Sequence, residues 1–387
     1  MINDTMLHKR FNPEKNIKAW SFLLSRNVLA LGVLVSVSVL SLSALPIQAI
    51  RFATNPLITP QSSPSLGQNI NGPSVIRVPG WIANPLGKYY LYFAHHNGLF
   101  IRLAYADSLH GAWRIYTPGV FPLSRLSGSM FSDHVASPDV HIDSANQRLL
   151  LYFHGVAPNG QKTGVAISTD GLNFTPKSGV QFPPLPDTLG DFYFRVFDFQ
   201  GYKFAIAKNA NIGGELLRST DGLTPFEKGS ELITNMRHSA VSVRGTNLFL
   251  FYTKAFDAPE RIYMSTMSLS GDWKTWTPSA GVEILRPILN YEGANLPIAP
   301  SNWGLADTAV NQLRDPAIFE DSGRVYLFYS IAGEQGIAAA ELTGLDPVAI
   351  RPSLRRQKTP RLAPFLLNGG IGITLDGRKL QFEKSTP

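Results

Sequence analysis

Short apolar runs, bounded by glycine and polar turn residues, follow one another along most of this chain. One pattern recurs five times: a turn followed by an aromatic or β-branched run, as in the letters GKYYLYF at 87–93. The five copies span 87–93, 147–153, 201–206, 246–252 and 323–329. Self-similarity at a period of tens of residues indicates a repeat architecture.

The first copy belongs to a unit of four apolar runs, separated by polar turns. They lie at 73–78, 89–93, 101–106 and 113–116. Runs rich in β-branched and aromatic residues with Gly, Asp, Asn and Ser between them are typical of antiparallel strands joined by hairpins. Four such strands form one blade of a β-propeller.

The later units repeat this plan, and no segment after residue 50 keeps a helical period over three turns. Asp170 and Asp221 each precede a glycine between the third and fourth runs of a unit, which indicates tight turns. We therefore predict an all-β fold over 64–344, a five-bladed β-propeller of four-stranded antiparallel blades.

The units are unequally spaced, which places insertions between blades one and two and between blades four and five. The loops concerned are 128–134 and 290–312. Loops on a rigid scaffold commonly carry binding or catalytic residues. We expect function to concentrate in these two loops.

A hydrophobic segment precedes the predicted propeller. Residues 1–26 are polar and basic, residues 28–45 are almost wholly apolar, and small Ala49 follows. This order is typical of an export signal, although about 18 apolar residues are also near the minimum for a membrane span. We predict a signal peptide or membrane anchor over 1–49 and a linker over 50–63. The protein would be exported, periplasmic or extracellular, or anchored to the inner membrane through 28–45.

The net charge of +7 does not predict nucleic-acid binding, because the excess lies at the two ends of the chain. The tail at 345–387 is basic, and it contains two apolar runs around Asp376 that could form a short hairpin. Cysteine is absent, which excludes disulfides, thiolate metal sites and cysteine nucleophiles. Phosphate-binding loops, zinc-protease motifs and serine-hydrolase elbows are also absent from the sequence. We expect a monomer without a dedicated metal site.

Polar or ionisable side chains stand at the start of every predicted first strand. First strands line the central channel of a propeller, so their starting ends meet around one cavity. Several charges at one end of a channel are costly unless something polar binds there. The residues concerned are Asn71, Asp139, Arg195, Arg237, His238, Arg314 and Asp315. His95, at the end of a second strand, and Glu292, on the second insertion, could reach the same cavity.

These features resemble the five-bladed β-propeller glycoside hydrolases, the superfamily that holds families 43, 32 and 117. The resemblance rests on the letters GPSV at 72–75, SPDV at 137–140 and DPAI at 315–318, with the aromatic run that follows each. It covers about 64–344. It implies a glycosidase that hydrolyses an oligo- or polysaccharide at the channel mouth without an organic cofactor, and it allows a structural calcium ion in the channel.

The catalytic pattern of that superfamily is only partly matched. Its members typically place an Asp before the proline of blade one, an Asp in blade three and a Glu in blade four. Here Gly72 takes the first place, Arg195 stands in blade three, and Arg237 and His238 stand in blade four. Asp315 keeps an Asp-Pro step, but in blade five.

Glycoside hydrolysis needs a proton donor and a second carboxylate. We assign Asp315 and Asp139 as the carboxylates, with His238 or Glu292 as the donor. Asn71, His95, Arg195, Arg237 and Arg314 would bind substrate, and the arginines would suit a sugar that carries a carboxylate or sulfate.

Each of these residues also has a structural interpretation. Asp315 could pair with a neighbouring arginine, Asp139 could cap a loop, Glu292 could be solvated and His238 could be a core hydrogen-bonding residue. The loss of the blade-one Asp also favours a rival hypothesis, a non-catalytic carbohydrate-binding or scaffold propeller.

Overall fold

The computed structural model of this chain describes residues 46–177 and 188–345, together with the backbone of 371–376 and 379–384. The predicted apolar segment at 28–45 lies outside the described residues, so export and anchoring stay predictions. Within the described part of the chain, no helix is long and apolar enough to cross a membrane.

Five antiparallel sheets of four strands form the five predicted blades. In chain order the strands are β1 Gln48–Arg51; in blade one β2 Asn71–Arg77, β3 Tyr89–Ala94, β4 Phe100–Ala106 and β5 Arg114–Pro122; in blade two β6 Ser132–Asp143, β7 Arg148–Ala157, β8 Gly160–Ser168 and β9 Thr175–Pro176; in blade three β10 Phe192–Phe199, β11 Tyr202–Asn209, β12 Gly213–Ser219 and β13 Glu227–Thr234; in blade four β14 Met236–Arg244, β15 Asn247–Lys254, β16 Ile262–Ser268 and β17 Val282–Leu285; and in blade five β18 Arg314–Asp321, β19 Arg324–Ser330 and β20 Ile337–Thr343. The prediction of an all-β, five-bladed propeller is confirmed.

Short 3-10 helices lie at Pro60–Ser62, Leu123–Leu126, Trp273–Thr275 and Asn290–Glu292. In the tail, β21 Ile371–Asp376 pairs antiparallel with β22 Lys379–Lys384, in the region where a hairpin was expected.

The fourth strand of blade five comes from the other end of the chain. Strand β1 pairs with β20 from Gln48 opposite Thr343 to Arg51 opposite Ala340. The open edge of β20 needs a partner for its N–H and C=O groups, and the N-terminal strand supplies it. The expected boundaries are therefore corrected: the propeller begins at Gln48, and 50–63 is not a free linker.

Packing between neighbouring blades explains the aromatic runs. Successive side chains of a strand point to opposite faces. In β3, Tyr90 and Tyr92 pack toward blade two, whereas Leu91 and Phe93 pack toward blade five. The second strands of the other blades are buried in the same way, and one apolar cluster fills each of the five blade interfaces. A strand buried on both faces gives a continuous apolar run, which is the repeat visible in the sequence.

The Asp-Gly turns help to align adjacent blades. Asp170 Oδ1 accepts the N–H groups of Leu172 and Asn173, as expected of a turn-forming residue. The Gly171 carbonyl that follows accepts the hydroxyl of Tyr92 in blade one, at 3.0 Å. The same contact recurs one blade further on, from Tyr152 to the Gly222 carbonyl at 3.1 Å.

Glu292 belongs to this scaffold and not to the channel. Its carboxylate is fully buried and receives Arg51 Nε at 2.7 Å and Arg51 Nη2 at 3.0 Å. Tyr329 Oη donates to the same carboxylate at 3.0 Å, and the backbone N–H groups of Ile288 and Leu289 complete its contacts. All of these donors lie on β1, on β19 or beside the insertion itself, and no described contact joins Glu292 to a residue of the channel mouth. The expectation that Glu292 is a general acid is corrected: it ties the second insertion to β1.

Replacing Arg51 tests this connection. We expect Arg51→Met to lower the free energy of unfolding by about 3 kcal/mol, because it leaves a buried carboxylate uncompensated. Urea denaturation followed by fluorescence measures the change. Arg324→Met is the matched control, since Arg324 forms an exposed pair with Glu341 and its loss should have little effect. Equal stability of the two variants would contradict the role given to the Arg51–Glu292 pair.

Candidate functional site

Each first strand begins with a β-bulge at the channel mouth. The pairing with the second strand shifts between Asn71 and Ser74 in blade one, and at the equivalent place in the other four blades. Within four of the bulges one residue has a positive φ: Gly72, Ser137, Tyr193 and Asp315. A bulge re-aims the side chains around it and often lies beside a functional site.

Asp315 occupies the bulge of blade five and is only 3% exposed. Ser330 Oγ donates to its Oδ2 at 2.9 Å, and His238 Nε2 lies 3.1 Å from its Oδ1. Burial and the neighbouring charge of Glu334 raise the pKa of Asp315 to about 6. The structure thus brings the two predicted residues Asp315 and His238 together.

His238 is held as a neutral imidazole. Burial and the nearby charges of Arg237 and Lys208 lower its pKa well below the usual value. Its Nδ1 accepts the backbone N–H of Asp315 at 3.3 Å, which assigns the remaining ring proton to Nε2, beside the carboxyl group. His238 therefore fixes the orientation of Asp315 through two contacts, Nδ1 with its backbone N–H and Nε2 with its carboxyl group.

A second carboxyl group, which the sequence did not single out, faces the same mouth. Glu334 lies in the loop between β19 and β20 and is 1% exposed. Arg314 Nη1 donates to its Oε1 at 2.7 Å, and Asn69 and Asn71 donate to its Oε2 at 2.7 and 3.1 Å. His96 Nδ1 lies 3.3 Å from the same oxygen. Burial opposes ionisation, but these partners outweigh it and lower the pKa of Glu334 to about 2.

Two arginines and a third carboxylate form the blade-four side of the site. Arg237 Nε lies 3.4 Å from Glu260 Oε1, and Arg314 Nε lies 3.4 Å from Glu260 Oε2. Both Glu260 oxygens and Arg237 Nε lack a hydrogen-bond partner among the described residues, although Arg237 and Glu260 are almost fully buried. Each predicted arginine of this region already has a carboxylate beside it, so a negatively charged sugar group is not needed to neutralise it.

Lys208, at the end of β11, lies among aromatic rings. Its Nζ is 4.4 Å from the ring centroid of Trp303, 4.9 Å from that of Phe192 and 5.6 Å from that of Tyr193. Burial lowers its pKa to about 7. Such rings stabilise an ammonium group through their negative faces.

The second insertion, 290–312, contacts residues of this mouth. Arg237 donates to the carbonyls of Asn302 and Gly304, the latter at 2.7 Å, and Arg314 Nη1 donates to the Gly304 carbonyl at 3.2 Å. A cavity of about 300 Å³ adjoins these contacts, with Arg314 and Gln312 in its wall.

The two histidines after β3 differ in their contacts. His96 faces Glu334, whereas His95 accepts the backbone N–H of Asn97 at 3.0 Å through its Nδ1. The structure thus brings His96, and not the predicted His95, against the carboxylate. Burial and the charge of Arg102 lower the pKa of His95.

Asp139 and Arg195 lie past the bulge on their own strands and join first strands to each other. Asp139 Oδ2 accepts the N–H of Val196 at 2.8 Å and contacts His141 Nε2 at 2.8 Å. Arg195 donates to the carbonyls of Pro138 and Ser239 at 2.8 and 2.9 Å. Burial opposes ionisation of Asp139, yet His141, Arg195 and the Val196 amide lower its pKa. These hydrogen bonds connect blades two, three and four. No described contact joins Asp139 or Arg195 to Asp315 or Glu334.

The residues that sequence reasoning missed share one position in the repeat. They follow or end the second strand of a blade: His96, Lys208, Glu260 and Glu334. In an antiparallel blade the end of the second strand lies beside the start of the first, so both ends border the same mouth. A search for polar residues after each second strand could therefore have identified these four residues from the sequence. Within the described ranges, no group of three or more His, Asp or Glu side chains is placed to hold a metal ion.

The arrangement can separate the protonation states of two carboxyl groups. Asp315, with a pKa of about 6, holds a proton more readily than an ordinary Asp, and Glu334, with a pKa of about 2, stays ionised. Paired carboxyl groups with pKa values driven apart are typical of acid–base catalysis.

Solved structures of glycoside hydrolases share this fold at low sequence identity. One is a thermostable family-43 glycoside hydrolase, 12% identical, with a TM-score of 0.51 over 86% of this chain and 96% of that chain. Another comes from work on family 130 of mannoside phosphorylases, which contains glycoside hydrolases that target β-1,2 mannosidic linkages in Candida mannan. It is 10% identical, with a TM-score of 0.56 over 76% of this chain and 93% of that chain. The resemblance inferred from the sequence is confirmed at the level of the fold.

No family model matches the sequence. A relative encoded by Acanthamoeba polyphaga mimivirus, Uncharacterized protein R118, is 36% identical over 330 residues. The match covers 76% of this chain and 90% of the relative. This five-bladed propeller therefore belongs to the same protein family as the mimivirus protein.

Proposed function

We propose that this protein is a glycoside hydrolase that cleaves an oligo- or polysaccharide at the channel mouth. Asp315 is the proton donor and Glu334 is the ionised carboxylate. The observation that carries the proposal is the pair itself: two carboxyl groups at one mouth, with pKa values of about 6 and about 2. Hydrolysis of a glycosidic bond uses one protonated and one ionised carboxyl group.

Asp315 suits the role of donor because its environment favours the neutral acid. Its proton passes to the glycosidic oxygen as the bond to the anomeric carbon breaks. His238 and Ser330 hold the carboxyl group in place, which makes them positioning residues. The neutral state of His238 argues against its predicted role as the donor, since its one ring proton already faces Asp315.

Glu334 suits the other role because four neighbours hold it as a carboxylate. It either removes a proton from the attacking water or attacks the anomeric carbon itself, the two routes known for paired carboxyl groups. In both routes water supplies the hydroxyl group on the new sugar end. Glu334 takes the place that Asp139 was expected to fill.

The fold similarity to structures named as glycoside hydrolases supports the reaction class, although fold alone does not choose a function. A second candidate, a non-catalytic carbohydrate-binding propeller, has its own support. Gly72 replaces the Asp that glycosidases of this fold carry in blade one, and both carboxyl groups are at most 3% exposed.

Substitution of the two carboxyl groups tests the proposal. We expect Asp315→Asn and Glu334→Gln each to reduce kcat on a cleaved oligosaccharide by about a thousandfold, because acid–base catalysis contributes on this scale. Asp139→Asn is the matched control, since it removes a buried carboxylate of the channel outside the site. Product release from an oligosaccharide panel gives the rates.

Two results would oppose this assignment. A kcat unchanged by Asp315→Asn would remove Asp315 from the mechanism. Calorimetric binding of a saccharide with no product after long incubation would favour the non-catalytic candidate.

The raised pKa of Asp315 also predicts a pH dependence of stability. A carboxyl group with a folded pKa of about 6 and an unfolded pKa near 3.9 stabilises the fold in its neutral form. This contribution is complete below about pH 3.9 and is lost as the pH rises through 6, a change of about 3 kcal/mol. Asp315→Asn removes it.

We therefore expect the stability of wild type relative to Asp315→Asn to fall between pH 4 and pH 7. For Glu334→Gln we expect the opposite sign, since ionised Glu334 stabilises the fold above its unfolded pKa and loses that effect as the pH falls toward 2. Urea unfolding at a series of pH values measures both. A difference for Asp315→Asn that does not vary with pH would contradict the raised pKa.

A further inference from the structure

Three cations from three blades hold one tripeptide of the second insertion across the mouth. We name this tripeptide, Asn302-Trp303-Gly304, the latch. Arg237 donates to the first and third of its carbonyls, Arg314 donates to the third, and Lys208 lies against the indole of Trp303. The ring of Phe256 packs edge-on against the same indole at 5.8 Å.

The latch is an exposed segment over a buried site. Asn302 and Gly304 are exposed, whereas Asp315, Glu334 and Glu260 are at most 3% exposed. The latch rests on Arg237 and Arg314, which pair with Glu260 and Glu334, so its movement would uncover this part of the mouth. Among the contacts described, its hold depends on side chains that reach two backbone carbonyls and one ring, and a segment held by so few contacts can open locally.

The oxygen atoms of the latch show what a ligand must provide. With the latch displaced, Arg237 loses both of its carbonyl acceptors and Arg314 loses one, and these donors need new acceptors. Beside them, the two Glu260 oxygens lack a hydrogen-bond donor, and Arg237 Nε lacks an acceptor. The groups beneath the latch, Arg237, Arg314 and Glu260, therefore offer both hydrogen-bond donors and acceptors. A hydroxyl group can bond to both kinds.

The charges of the groups beneath the latch also favour a ligand with neutral hydroxyl groups. Arg237 and Arg314 are balanced by Glu260 and Glu334, with which they form ion pairs at 3.4 Å or less. A carboxylate or sulfate group would bring a further negative charge, and acceptors only, next to those two carboxylates. The expectation of a charged sugar thus loses its basis.

We propose that the latch is a gate, and that the ligand which displaces it is a neutral sugar whose hydroxyl groups replace the Asn302 and Gly304 carbonyls on the two arginines. This deepens the proposed function and rests on it for the reaction, while the gate and the ligand class stand on binding alone.

Opening of the gate can be measured without any activity. Reductive methylation followed by mass spectrometry reports the accessibility of each lysine, with Lys228 and Lys274 as exposed references. We expect Lys208 to be protected in the wild type and to react about tenfold faster in Trp303→Ala. The control Ile298→Ala changes an exposed side chain of the same insertion and should leave Lys208 protected. Equal Lys208 reactivity in wild type and Trp303→Ala would overturn the gate.

The ligand class is tested by calorimetry with neutral oligosaccharides and with oligosaccharides of uronic acids. We expect neutral sugars to bind Trp303→Ala about tenfold more tightly than wild type, because without the indole the latch is held less firmly and competes less well for the arginines. Preferential binding of uronic acids, or neutral-sugar affinity that does not rise in Trp303→Ala, would overturn the proposal. A protein that shows the gate and binds neutral sugars but releases no product would contradict only the hydrolase function.

Discussion

The pairing of β1 with β20 closes the ring, and the geometry of the site depends on that closure. Each blade packs on two neighbours, so blade five can hold its place only if blade one meets it on the other side. The N-terminal strand completes the sheet of blade five by four residue pairs. Because the ring is closed, five first strands start around one mouth, and side chains far apart in sequence such as Asn71 and Glu334 form a hydrogen bond.

A second constraint is the cost of placing charge in a buried mouth. Isolated buried charges are very unfavourable, and buried pairs persist only with good partners. Here Glu334 meets Arg314 and two asparagine amides, while Asp315 meets a neutral histidine and a serine hydroxyl. The difference in partners explains why one carboxyl group is stabilised as an anion and the other as an acid. The same scaffold that closes the ring therefore sets the chemistry of the mouth.

The fold was predictable because the second strand of each blade is buried on both faces. Each of the five strands is therefore a continuous apolar run, and the repeat is visible in the sequence. The mouth was predictable in part, since polar residues at first-strand starts identified Asn71, Arg237, His238, Arg314 and Asp315. Asp139 and Arg195 were expected at the mouth, whereas in the structure they lie past the bulge and join neighbouring first strands. A one-residue bulge decides which side chain faces the mouth, and a bulge leaves no clear trace in the sequence. Glu334 was missed because a charged residue in a hairpin loop reads like any solvated side chain. Glu292 was misassigned because its partner, Arg51, lies on a strand that the sequence presented as linker.

The second insertion is attached at both of its ends to parts of the molecule with different tasks. Near its start, Glu292 grips Arg51 on the strand that completes blade five. Toward its end, the segment at 302–304 rests on the arginines of the mouth. The stretch between these two contacts is exposed to proteases. A single cut there would leave Glu292 bound to β1 and blade five complete. The segment at 302–304 would be released from the arginines, so the mouth would open to solvent while the propeller stayed folded.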